Sequence, residues 1–377
     1  MSSRAPTRRP TKIPPFMADA PRNILLLKGH SAGVGDLLRS SAAWRALHDT
    51  YPGVRLHLVF LTNEPGAASE ELIARHPLLS SFHVRTKWPD TVSDWRSAGR
   101  WFLDRLTETH ADLVIDFEPG GLRTTLLTCL ARFGRRVRTV GVAEVPGRGL
   151  FYGRSAPSRR AHASHIGDAD VLNYTELDFV ALAALGIHRD GRPIELEETS
   201  EAVAFRNGLR ERFGIPPGLP LIGLNVGCGT TGAMDRRPDL PLLRAWMLRV
   251  QQEFGCGIVL TGAPFERTVN AELLRGYTPP HGLPVVDTAG HTRLLELPGL
   301  IRSCCVFVSG DTGPYHLAVA LRVPTVVIFN RVFRPAEHHH PWVRTVIAPG
   351  VAELPQLEEA VAELRAAFPW TASGETP

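Results

Sequence analysis

The chain has 377 residues, 44% of them hydrophobic and 21% charged, a globular composition with length enough for two hydrophobic cores. No apolar run approaches the ~20 residues that cross a bilayer. The formal net charge of +4 is matched by residues 1–22, where Arg4, Arg8, Arg9, Lys12 and Arg22 face only Asp19, so the remainder is close to neutral, which argues against a protein that coats nucleic acid.

Residues 1–22 are basic, proline-rich and without periodicity, and they read as a disordered tail with no secretory signal. The charge suits contact with an anionic membrane surface, although a solvated extension is the plainer reading. Residues 23–28 form an apolar run that ends in a glycine loop. Residues 35–50 then carry helical spacing through Leu37, Leu38, Ala42, Trp44, Ala46 and Leu47. Strands follow near 56–61, 111–117 and 137–142, with helices near 95–109 and 122–133, which predicts a parallel sheet with crossover helices. Residues 145–170, rich in Gly, Pro, Ser, Arg and His, break the pattern and read as a long functional or mobile loop. A helix over 171–185 completes a first domain, 23–186.

Residues 187–200 lose periodicity and read as a linker, and the helix predicted over 202–213 could belong to either side. In the second domain, 201–350, strands are expected at 221–225, 257–261, 285–287, 306–309 and 325–329. Helices near 240–254, 265–275 and 292–303 separate them. A terminal helix over 357–367 lies in residues 351–377 and is expected to pack back across the domains. The five cysteines, Cys129, Cys228, Cys256, Cys304 and Cys305, have no Cys-x-x-Cys spacing, which fits a reducing cytoplasm and points to neither a disulfide framework nor a zinc site.

Three loops gather polar residues at strand ends. The first, Lys28-Gly-His-Ser-Ala-Gly-Val-Gly-Asp36, has Leu38 where a dinucleotide fingerprint needs its third glycine, and it lacks the Gly-Lys-Ser/Thr of a P-loop. Taken alone, Asp36 reads as a helix cap. The second, 225–238, is glycine-rich and suited to approach a diphosphate, with Arg236 and Arg237 near its end. The third, Ser309-Gly-Asp-Thr-Gly-Pro-Tyr-His316, stops a buried strand and opens a helix whose start favours an anion. Asp311 and Thr312 there could bind hydroxyls or cap the helix, and His316 lies one turn in. The run His338-His339-His340 has no acid cluster nearby, so no metal site is assigned to it.

The third loop together with Val323-Pro-Thr-Val-Val-Ile-Phe329 resembles the C-terminal signature of the heptosyltransferase family of nucleotide-sugar glycosyltransferases (glycosyltransferase family 9). The Gly35-Asp36 ending of the first loop resembles that family's N-terminal motif. The resemblance implies an α/β, GT-B type fold: two Rossmann-like, doubly wound parallel-sheet domains facing across a cleft. It further implies an inverting, metal-independent transferase that needs no cofactor, uses ADP-heptose, and acts in the cytoplasm on a lipopolysaccharide core or related anionic or lipid-linked glycan. The alternatives are a transferase using another nucleotide sugar on a small metabolite or protein, and a catalytically silent sugar-nucleotide-binding protein. On this reading Asp36 is the general base, Asp311 holds donor hydroxyls, and Thr312, Gly313 and His316 hold the diphosphate. Glu266, in Gly262-Ala-Pro-Phe-Glu266, contacts nucleoside or sugar. The family's usual lysine in the second loop is Asp235 here, and Arg236 or Arg237 stands as its substitute. Arg148, Arg154, Arg159 and Arg160 in the 145–170 segment suit an anionic acceptor.

Overall fold

The computed structural model of the protein describes residues 19–29, 33–88, 91–166, 172–227, 237–330 and 336–370. The N-terminal half builds one sheet from β1 (Asn23–Lys28), β2 (Arg55–Thr62), β3 (Ser81–Thr86), β4 (Leu113–Asp116), β5 (Arg138–Val142) and β6 (Arg154–Ala156), ordered β3-β2-β1-β4-β5-β6. The C-terminal half builds another from β7 (Leu221–Asn225), β8 (Gly257–Thr261), β9 (Val285–Asp287), β10 (Val306–Gly310), β11 (Thr325–Phe329) and β12 (Val343–Ile347), ordered β12-β11-β10-β7-β8-β9. Every pairing in both sheets is parallel.

β1 illustrates why these residues make strands. Ile24 and Leu26 enter a core with Trp44 and Phe60 on one face, while Leu25 and Leu27 enter a second with Phe102 and Val114 on the other. A strand covered on both faces needs an unbroken apolar run, which the sequence Ile-Leu-Leu-Leu supplies. Strand order reverses between β1 and β4 and again between β7 and β10, and ligands of doubly wound sheets bind beyond the strand carboxyl ends at such points. The first glycine loop, the 225–238 loop and the Asp311–Gly313 turn all leave strands at these two places.

Several expected features are corrected. The 145–170 segment is not one long loop: its described part holds a 3-10 turn (Arg148–Phe151), the edge strand β6 and a helix (Arg159–Ile166). The presumed linker is laid against the N-terminal half, with Ile194 buried, the Glu195 amide donating to Ser41 Oγ at 2.8 Å and Arg45 Nη2 donating to Glu195 Oε2 at 2.9 Å. The helix Ser200–Arg212, left open to either side but within the expected second domain, needs no correction: Phe205 and Leu209 pack with Leu221, Val259 and Leu300 of the C-terminal half. The terminal helix Leu354–Ala367 does not cross between halves; Leu357, Val361 and Leu364 sit in the second half's own core with Trp246 and Val308.

Histidines set the expected acid stability. Burial holds the His57 and His340 imidazoles down to about 4 and His338 well below its ordinary value. In the unfolded chain these groups take up protons below about pH 6.5, whereas the folded protein does so only at lower pH, so stability is full above pH 6.5 and is lost as pH falls toward 4. A loss of unfolding free energy on the order of 1 kcal/mol or more between pH 7 and 5 is expected for a fully buried imidazole. Urea titrations across that range check it; a flat profile contradicts it.

Candidate active site

β1 ends in Lys28, whose ammonium is buried and donates to Asp178 Oδ1 at 2.8 Å. The Gly29 amide donates to Glu118 Oε1 at 2.9 Å, so the base of the loop is tied to the turn after β4. A short helix, Val34–Leu38, follows Gly33. Asp36 lies in its first turn, half-buried and ion-paired with Arg39. The Arg39 guanidinium in turn lies 5.7 Å from the centre of the Tyr174 ring. An aspartate with one oxygen held by an arginine on its own helix is kept in a fixed direction.

Opposite it, β10 runs into the helix Gly313–Ala320. Thr312, at the cap position, makes no side-chain cap bond. Its hydroxyl instead bonds Asn225 Oδ1 at 3.0 Å and Ser309 Oγ at 3.0 Å, which joins the carboxyl ends of β7 and β10. The first amides of a helix have no intrahelical acceptor and carry the positive end of its dipole. Asp311 Oδ1 lies 4.0 Å from His316 Nε2, and His316 Nδ1 shares a 3.0 Å hydrogen bond with His338 Nε2. The amide of His338 donates to the Tyr315 hydroxyl at 3.0 Å, which ties the His338 backbone to the helix that carries His316.

The two motifs touch. A Cβ on Gly35 would lie 2.3 Å from His316 Cδ2, and one on Gly313 would lie 2.5 Å from Val34 Cγ1. Neither distance is open to a real side chain, so these glycines let the Asp36 helix sit directly on the helix of His316. Residues from positions 33–39 and 311–316, almost 300 apart in sequence, are thereby brought to one place.

Glu266 is buried, and its Oε2 accepts the Ala263 amide at 2.6 Å. A Cβ on Gly227 would lie 1.6 Å from Glu266 Oε1, so the glycine after β7 makes room for this carboxylate. Glu266 thus closes its own turn while bordering the 225–238 loop. Arg237 is half-buried at the end of that loop, and Arg236 lies outside the described residues.

Of the arginines expected to meet an anionic acceptor, Arg148 is corrected. It is buried, its Nη2 sits 3.2 Å from Asp116 Oδ2, and its Nε donates to Thr125 Oγ1 at 2.9 Å. Tyr152 donates to the same Asp116 oxygen at 2.7 Å, and burial pushes the Asp116 carboxyl up to about 7 against the pull of Arg148. Arg148 therefore braces the end of β4. Arg154 is half-buried, Arg159 is exposed and paired with Glu144 at 3.0 Å, and Arg160 is exposed. Two residues of the site escaped the sequence reading. Arg39 had a signal, since it stands three residues after Asp36 on a helix. His338 was considered only as a metal ligand; among the described residues no cluster of metal-ligating side chains occurs.

Two doubly wound parallel sheets whose strand-end loops meet in this way make the GT-B fold of glycosyltransferases. The glycosyl transferase family 9 structure from Veillonella parvula DSM 2008 aligns with TM-score 0.69 at 15% identity, covering 91% of this chain and 97% of that one. ADP-heptose lps heptosyltransferase II of E. coli aligns with TM-score 0.62 at 18% identity over 91% and 99%. E. coli heptosyltransferase WaaC with ADP-2-deoxy-2-fluoro heptose does so with TM-score 0.54 at 20% identity over 92% and 99%. At such identities the likeness is one of fold. No curated protein matches the sequence significantly. Residues 245–362, however, match the model of glycosyltransferase family 9 (heptosyltransferase).

Proposed function

We propose that the protein is an inverting transferase that moves a heptose from ADP-heptose to an anionic, lipid-linked glycan of the lipopolysaccharide-core type. The observation that carries this reading is the contact of Gly35 with His316, because it sets a carboxylate, Asp36, beside a helix start suited to a diphosphate. An acceptor hydroxyl attacking the anomeric carbon loses its proton to Asp36. The bond from that carbon to the diphosphate breaks from the opposite face, and the charge left on the diphosphate is met by the amides of Thr312 and Gly313 and by His316. Asp311 and Glu266 hold donor hydroxyls or nucleoside, Arg237 and Arg236 neutralise phosphate, and Arg154, Arg159 and Arg160 remain on the acceptor side. ADP as the carrier nucleotide is supported by two E. coli heptosyltransferases of like fold, the ADP-heptose lps heptosyltransferase II and WaaC with ADP-2-deoxy-2-fluoro heptose. No resident metal is required by this scheme, and transfer is expected to persist in EDTA.

Calorimetry on His316→Ala tests the donor site. The substitution removes a donor to phosphate and keeps the backbone amides, so ADP and ADP-heptose should each lose about 1–3 kcal/mol of binding free energy, the scale of one hydrogen bond to a charged group. Unchanged affinity for both, in a variant whose circular dichroism matches the parent, would remove His316 from the donor site. Tighter binding of UDP than ADP by the parent protein would overturn the choice of nucleotide.

A further inference from the structure

Between Glu118 and Asp168 the sequence carries nine arginines and one acid, Glu144, a local excess of +8 in a chain whose total is +4. The same stretch holds an unusual run of exposed apolar side chains. The helix Leu122–Cys129 continues as a π-helical turn, Leu130–Gly134. Its inner face buries Thr124, Leu127, Thr128 and Ala131. Leu122, Leu126, Leu130 and Phe133, spaced four, four and three apart, form the opposite stripe and are 66%, 38%, 38% and 65% exposed. Beside its end lies the 3-10 turn with Leu150, 79% exposed. Arg132 joins the two, its guanidinium 4.9 Å from the centre of the Phe133 ring and donating to the Leu150 carbonyl at 2.8 Å. Arg135 and Arg136 follow immediately and are exposed.

Scattered exposed leucines need no explanation, but an apolar stripe along a helix in a segment that carries an excess of positive charge does. A face of that kind matches a surface that is apolar below and negative above, which is the interface of an anionic bilayer. We propose that the stripe Leu122–Phe133 with Leu150 is a membrane-docking face that inserts its apolar side chains among anionic lipids, with Arg135 and Arg136 on the headgroups. Leu122 stands four residues beyond Glu118, which binds the Gly29 amide of the first glycine loop, so the stripe begins next to the acceptor side of the cleft. Docking there would bring a lipid-linked acceptor to the site while the chain itself remains outside the bilayer; among the described residues no helix is long and apolar enough to cross it. The inference rests on charge and exposure in the N-terminal half and does not depend on which sugar nucleotide is used.

Vesicle cosedimentation of the full chain tests it, with phosphatidylglycerol-containing and pure phosphatidylcholine vesicles. The parent protein should pellet with the anionic vesicles and far less with the neutral ones. The triple variant Leu122→Gln, Phe133→Ser, Leu150→Gln changes only exposed side chains, and its partition coefficient should fall at least about tenfold with an unchanged melting temperature. Arg135→Gln with Arg136→Asn, the latter chosen because position 136 has φ +56°, should lower it roughly fivefold or more. A triple variant that pellets like the parent would assign any binding to the basic tail and overturn the proposal. So would a parent protein that stays in the supernatant or binds neutral vesicles equally well. A sedimentation-velocity dimer that the triple variant abolishes would give the face to a second copy of the chain, and that too would overturn it.

Discussion

Asp36→Asn is expected to lower sugar transfer by at least about 100-fold, the usual cost of losing a general base, while the nucleoside diphosphate still binds. The amide keeps the shape of the carboxylate and can still meet Arg39, the partner of Asp36 on its own helix. What it cannot do is take a proton from the acceptor hydroxyl. The effect should therefore fall on kcat, with little change in donor KM, because the donor diphosphate is assigned to the helix that starts at Gly313 and not to this one. The melting temperature gives the control. A variant that transfers at the parental rate would make Asp36 a helix-start acid that merely orders Arg39, and a variant that loses donor binding and transfer together would place it in the donor pocket instead.

Gly35→Ala should be nearly as damaging, although it adds one methyl group. The new carbon would lie 2.3 Å from His316 Cδ2, and the ring cannot swing aside freely because His338 holds its Nδ1. Either the Asp36 helix lifts off or the His316 ring leaves its seat. Overpacking of this kind costs about 1–3 kcal/mol of stability, and a displacement near 1 Å between base and donor is expected to reduce transfer on the order of 100-fold. The double variant Gly35→Ala, His316→Ala separates the causes. Deleting the ring makes room for the methyl, so the double variant should melt closer to His316→Ala alone than Gly35→Ala does to the parent, a coupling expected only of residues in contact. Strictly additive losses would mean that the two positions do not touch.

Apart from the half-buried edge strand β9 at 285–287, the strands that sequence patterning located are buried inner strands. Residues 23–28, 221–225, 257–261 and 325–329 coincide with β1, β7, β8 and β11, each a run that stays apolar because helices cover both sides of it. The strands that escaped, β3, β6 and β12, are all at sheet edges. β3 reads Ser-Phe-His-Val-Arg-Thr and is half-buried over its first five residues and exposed at Thr86, and β6 has three residues, so neither shows a continuous apolar signal. At the site, glycines and aspartates ending a strand were legible as loops that approach a ligand. The meeting of Gly35 with His316 was not, since it is a contact between distant segments whose only local trace is a pair of glycines. Arg148 was misread for a related reason: composition marks a segment as basic, but it does not reveal that one of its arginines is paired to an aspartate at the end of a strand 32 residues earlier.

The start of the helix Gly313–Ala320 is proposed to hold the donor diphosphate, across from the helix of Asp36. Hydrogen exchange of the full chain with and without saturating ADP tests it most directly, read at peptides covering 309–317, 262–267 and 33–39. Slower exchange is expected at Thr312, Gly313 and the residues after Pro314, and at the Glu266 turn, with smaller changes near Asp36. ADP that binds by calorimetry yet leaves the 309–317 peptides unprotected, with protection elsewhere in the chain, would contradict it.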